Sequence, residues 1–183
     1  MKILVKFIIL IFLFFPIISK ADNIYNFEIE GISIGDSVLD FFTSYQINQG
    51  KQDWYKDNTY TATVIQNSNL LEFYDEVQIN FLTNDKEKIV KNISGTLFMN
   101  YNECLKEMDT LIDYFNEMIK DGTFYDKDTY TANFDNKTEI TDVYWEVKSG
   151  SILIQCYDFD KGGELSVAID TKEFFDFLSN SAY

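Results

Sequence analysis

The chain has no histidine and no arginine among its 183 residues. Without histidine, no side chain of ordinary pKa titrates near neutrality to take a serine proton, and zinc and haem lose their usual nitrogen ligand. Without arginine there is no planar fork to read phosphates or guanine edges, and a formal charge of −15 repels any polyanion. Nucleic-acid binding is thereby excluded. Proline occurs once and cysteine twice. What is abundant is apolar and aromatic surface, 46% and 17% of the residues, far too much for a disordered chain. The low-proline usage, rich in Asn, Lys, Ile, Tyr and Phe, points to an AT-rich bacterial genome.

The N-terminus reads as a signal peptide over residues 1–21. Lys2 and Lys6 form a basic lead, Phe7 to Ile18 is an apolar run broken late by Pro16, and Ser19 and Ala21 stand at the −3 and −1 positions of a cleavage site before Asp22. The run is shorter than the roughly 20 apolar residues a bilayer-spanning helix needs. No cysteine follows it to carry a lipid anchor. The expected location is periplasmic or secreted. Thiols oxidise there, so Cys104 and Cys156 are expected to form one disulfide. Residues 22–183 are expected to form a single domain.

Periodicity then sets the expected elements. Residues 27–34 alternate as a strand. Asp36 or Ser37 caps a short helix carrying Val38, Leu39, Phe41, Phe42 and Tyr45 inward. Strands follow near 60–65, 77–81 and 89–99, the last apolar on much of both faces. Tyr101, Cys104, Leu105, Met108, Leu111, Ile112, Phe115, Met118 and Ile119 fall on one stripe of a long amphipathic helix, about 101–120, with Asn100 as cap. Strands return at 129–134, 140–147, 151–157 and 164–169, with hairpin turns at 148–150 and 160–163. Asp170 or Thr171 caps a closing helix. Strands clustered between helices predict an α+β fold: an antiparallel sheet with one long and two short helices packed on it. Two halves, 27–99 and 100–179, each read as a helix followed by a meander. A Cys104–Cys156 bridge would staple the long helix to the C-terminal strands.

Several motifs invite a chemical reading. Gly31-Ile32-Ser33-Ile34-Gly35 matches the nucleophile-elbow pattern. Gly35-Asp36-Ser37-Val38 resembles the GDSL block of the SGNH esterases and lipases, a resemblance that implies Ser37 as nucleophile. Both patterns require a histidine base, and none exists. Calcium needs only oxygen ligands, which makes Asp158, Asp160 and Glu164 the candidate metal ligands; the position that closes an EF-hand loop falls on Ile169, and the match breaks there. Asp121, Asp126 and Asp128 form a second acidic group, expected in a loop. Trp54 and Tyr55, in a polar loop, are candidate stacking residues for a sugar or cationic ligand. No cofactor is expected.

The stretch Ile29-Glu30-Gly31-Ile32-Ser33-Ile34-Gly35-Asp36-Ser37-Val38-Leu39-Asp40-Phe41-Phe42, behind its signal peptide, resembles the opening of secreted proteins of AT-rich marine alphaproteobacteria of the SAR11 type, which implies no known activity. The Gly31-Ile32-Ser33 opening before a short helix is similar to periplasmic modules of the BamE and β-lactamase-inhibitor-like class. That similarity implies a protein-binding module with helices on an antiparallel sheet. The leading expectation is therefore a non-catalytic periplasmic module that binds another protein or an envelope component. The alternatives are a hydrolase using carboxylates or a Ser-Lys pair, and a binder of a small ligand or calcium.

Overall fold

The structure, a computed structural model, describes residues 23–66, 69, 71–160 and 162–180. The expected signal peptide, residues 1–21, lies outside the described residues, as does Lys161 in the last hairpin turn. Along the described chain run β1 (Glu28–Ile29), β2 (Ile32–Ser33), α1 (Ser44–Gln49), β3 (Lys51–Gln52), β4 (Tyr60–Gln66), β5 (Glu76–Leu82) and β6 (Val90–Met99). There follow α2 (Tyr101–Met118), β7 (Thr123–Thr131), β8 (Glu139–Val147), β9 (Gly150–Phe159), β10 (Gly162–Thr171) and α3 (Lys172–Asn180). The fold is α+β: among the described residues, one eight-stranded antiparallel sheet, a small two-stranded one and three α-helices.

The large sheet has the order β3-β4-β5-β6-β10-β9-β8-β7. Every neighbouring pair but one is a hairpin or short connection. The exception is the central seam, where β6 lies against β10 with Leu97 opposite Leu165 and Ile93 opposite Ile169. Strand parity separates two faces. On the inner face, Ile79, Ile93, Leu165, Val167, Ile169, Ile152, Ile154 and Trp145 join Cys104, Met108 and Phe115 of α2 in one core, closed at one end by Ile24, Phe27 and Ile29. Trp145 is fully buried there, and its Nε1–H donates to Asn116 Oδ1 at 2.9 Å.

Each helix starts where a side chain satisfies its free amides. Asn100 Oδ1 accepts from the Glu103 amide at 3.0 Å, and Thr171 Oγ1 from the Phe174 amide at 3.2 Å. The Cys104–Cys156 disulfide is present, with a Cα–Cα distance of 5.8 Å, and ties α2 to β9.

Three expectations are corrected. The strand at 27–34 folds back on itself at Glu30 and Gly31, whose φ values of 53° and 74° make the mirror-image turn that suits a tight hairpin. The short helix after Gly35 is two elements: a single 3₁₀ turn over Val38–Asp40 capped by Ser37, then α1 with a Thr43–Gln46 capping box. Tyr45 consequently points outward, 72% exposed. Thirdly, the strand expected at 129–134 is β7, beginning at Thr123, so Asp126 and Asp128 lie in an edge strand at its bulge and not in a loop.

The β1–β2 hairpin also anchors the loop between β4 and β5. Glu30 Oε1 accepts from the Phe73 and Tyr74 amides and Oε2 from the Glu72 amide, all at 2.8 Å. A carboxylate can accept from all three; a carboxamide would turn an N–H toward at least one of them. Glu30→Gln is expected to lower the unfolding free energy by about 2 kcal/mol, as for loss of a charged acceptor, measured by urea denaturation. A change below about 0.5 kcal/mol would show that this loop does not need the anchor.

Candidate functional site

One end of the second face of the sheet is covered by a helix. There α3 seats Phe174 and Phe177 on Tyr60, with Tyr55 closing the cluster from the side. Beneath α3 a chain of polar side chains crosses the sheet. Tyr55 Oη–H donates to Asn80 Oδ1 at 2.8 Å, Asn80 Nδ2 donates to Asn92 Oδ1, Asn92 Nδ2 donates to Asp170 Oδ1, and Ser151 Oγ–H donates to Asp170 Oδ2 at 3.4 Å. Burial raises the Asp170 carboxyl to about 6, against the pull of its hydrogen bonds from Asn92 and Ser151. This row is sealed from solvent and serves the fold.

Beyond α3 the outer face carries a different surface. One row runs Gln66, Glu76, Thr96, Ser166, Gln155 and Asp142 across six strands, and the next holds Phe98, Glu164, Tyr157, Ile140 and Tyr130. Gln66, Phe98 and Tyr130 are exposed, Glu76, Ser166, Gln155, Asp142, Glu164 and Tyr157 are half-buried, and Thr96 and Ile140 are buried. Glu76 accepts a hydrogen bond from Gln66 Nε2, and Tyr130 Oη–H donates to Asp142 Oδ2 at 2.9 Å. Partial burial raises the Asp142 carboxyl, and the Asp128 charge adds to it while the Tyr130 hydrogen bond pulls it back. Partial burial, then the Glu76 charge, lifts the Glu164 carboxyl to about 7.

A hollow of about 360 Å³ opens at the edge of these rows, lined by Phe98, Met99, Phe159, Gly162, Gly163 and Glu164. A second, of about 670 Å³, is lined by Asn58, Thr59, Leu82, Asn84 and Asp85 at the loop end of β4 and β5. Its one carboxylate already accepts from the Glu87 and Ile89 amides at 3.0 and 2.9 Å, which holds Asp85 below the usual range. The larger hollow therefore has a carboxylate already committed to the backbone, and the smaller one does not.

The residues singled out from the sequence fall in several places. Cys104 and Cys156 are joined. Trp54 is 44% exposed in the loop before β4, whereas its neighbour Tyr55 is turned inward against Phe174 and Phe177. The pair does not form one stacking platform. Asp158 lies opposite Gly163 and Glu164 opposite Tyr157, so Asp158 and Glu164 occupy opposite faces of the β9–β10 hairpin, and Asp160 sits at its turn. The three are not brought together, and among the described residues no group of three His, Cys, Asp or Glu is placed to hold a metal ion. Ser37 Oγ–H donates to the Glu87 carbonyl at 2.6 Å and its oxygen accepts from the Leu39 amide at 3.3 Å, so the hydroxyl is occupied in capping. Phe98, Phe159, Glu76 and Asp142 were not singled out. The signal that pointed to them is the run Asn92, Ser94 and Thr96 on one face of a central strand, small polar residues where a second core layer would require apolar ones.

Comparison with protein-family models, with curated proteins and with solved structures gave no match.

Proposed function

We propose that this is an exported, non-catalytic binding module of the periplasm whose open outer face takes a basic surface of another protein or envelope component. The observation that supports it most strongly is the polar, partly exposed row from Gln66 to Asp142, rimmed by Phe98 and Tyr157. Interfaces of this kind combine a few aromatic anchors with a polar rim, and opposite charge steers the encounter. The disulfide supports an oxidising compartment. Among the described residues no helix is long and apolar enough to cross a membrane.

The strand order also supports reading the chain as two like halves, 27–99 and 100–179, each a helix followed by a four-stranded meander, set edge to edge at β6 and β10. In that arrangement the open face is a joint product of both halves.

The test places a photo-cross-linking residue at Ser166 or Gln155 on the open face, or at Lys106 on the solvent side of α2, in cells that make the protein. A discrete adduct is expected from the two face positions only. It should shrink at least tenfold when Glu76 and Asp142 are both replaced by lysine. Equal adducts from Lys106, or none from the face, would remove the proposal.

A further inference from the structure

The hollow beside the open face has a shape and a lining that select its ligand. Its floor is Gly162, where a Cβ would meet no atom within 4 Å, so the space above that residue is empty where any other residue would begin to fill it. Phe159 stands directly opposite Gly162 across the β9–β10 ladder, and its ring lies parallel to Tyr157, 3° between planes and 5.5 Å between centroids. Phe98 walls the other side from β6, opposite Glu164 and 59% exposed. At the inner end sits the Glu164 carboxylate, half-buried between Phe98 and Tyr157. Among the described residues the ion pairs are Lys91–Glu173, Lys127–Asp109 and Lys172–Asp176, none of which involves Glu164 or Glu76.

We infer that this hollow is a receptor for a guanidinium group, the side chain of an arginine presented by a basic partner protein. The assignment rests on the reading of the outer face as a binding surface and names what anchors that surface. A flat, weakly hydrated cation suits a hollow lined by two aromatic rings and a carboxylate, stacking on a ring and donating a paired hydrogen bond to the carboxylate. Among the residues that line the hollow a metal ion would find one carboxylate, Glu164, and otherwise apolar side chains and glycine. An ammonium group, compact and strongly hydrated, would lose water without gaining the stacking. The volume lies at the lower end of the range of small-ligand sites and has room for a single side chain. The occupant is not a second copy of the same chain, which contains no arginine.

The carboxylate's surroundings add a proton linkage. The titratable groups facing Glu164 are Glu76 from β5 and Tyr157 from β9; β6 presents Phe98 and Thr96, and Asp75, ahead of β5, spends its carboxylate on the Phe98 amide at 2.8 Å. With the carboxyl raised to about 7, an arriving cation must displace a proton below that pH and need not above it.

The experiment is calorimetric titration of the intact protein with acetyl-arginine methylamide, and with acetyl-lysine methylamide for comparison. Saturable binding of the arginine probe is expected near 1 mM, with affinity rising about tenfold from pH 6 to pH 8 as the carboxyl ionises. Glu164→Gln should weaken binding at least tenfold and flatten the pH profile. Phe98→Ala and Phe159→Ala should each weaken it about threefold, and Asp113→Asn, exposed on α2 at the other face of the sheet, should leave it unchanged. The pH profile of the unaltered protein keeps the test intact if a variant proves unstable. Equal affinity for the lysine probe, a flat pH profile, or binding untouched by Glu164→Gln would each overturn the assignment. If face cross-links persist while the probe fails, the receptor falls and the binding face stands. If the probe binds as expected while no face cross-link forms, the receptor stands and the binding face falls.

Discussion

Replacing Cys104 and Cys156 together by alanine lowers the unfolding free energy by about 4 kcal/mol and the melting temperature by roughly 8–16 °C. The bond closes a chain segment with a sequence separation of 52, and on the chain-entropy model a loop of that length gives a figure of this size. The 5.8 Å between Cα atoms lies within the ordinary range, so native strain does not offset the gain. Both sulfurs are fully buried between α2 and β9, which adds a small cavity cost to the substitution. Thermal and urea unfolding of the double variant, beside the unaltered protein with and without reductant, measures it. A loss under about 1 kcal/mol would mean that the helix is held to the sheet by packing alone.

The second large effect is expected at Asp170, where Asp170→Asn stabilises the protein at pH 8 by about 3 kcal/mol and leaves it nearly unchanged at pH 3. The carboxyl is fully buried in the polar row under α3, and burial lifts it from 3.8 to about 6. A raised native pKa means the folded state holds its proton longer than the unfolded one. Its contribution is therefore fully favourable below about pH 3.8 and is lost as pH climbs through about 6. The carboxamide keeps the shape, still accepts from Asn92 Nδ2 and offers its own N–H to Ser151 Oγ. Unfolding free energies of both proteins at pH 3, 5, 6.5 and 8 test it. A variant less stable at pH 8 would show that the ionised form is held by its hydrogen bonds more firmly than burial opposes it.

What could be read from the sequence was local. The stripe from Tyr101 to Ile119, the alternation around Trp145 and the turns at 148–150 each depend on residues within a few positions, and each marks a real element. The break between the 3₁₀ turn and α1 was hidden because Phe41, Phe42 and Tyr45 continue a helical spacing through Thr43, a cap visible only when its Gln46 partner is weighed. β7 was misplaced because it is an exposed edge strand with a bulge, and an edge facing water has no need of apolar alternation. The site was less legible than the fold. Asp158, Asp160 and Glu164 looked close by counting, yet hairpin parity sends two of them to opposite faces. The row from Gln66 to Asp142 draws on six strands, and the seam that unites them joins residues as far apart as Asn92 and Asp170, 78 positions along the chain.

That seam has a bearing on synthesis and truncation. During chain growth the first meander and α2 are complete long before β10 exists, and until it arrives β6 is the rim of a half-built sheet. Its ten residues then show a full row of unpaired amides and carbonyls, the template on which chains stick to one another. β10 is the last strand made, and it is the one that closes that rim. A chain cut short before Gly162 is thus not a slightly smaller protein. It is one with a raw edge through the middle of its sheet, and quality control would meet it as an aggregation seed.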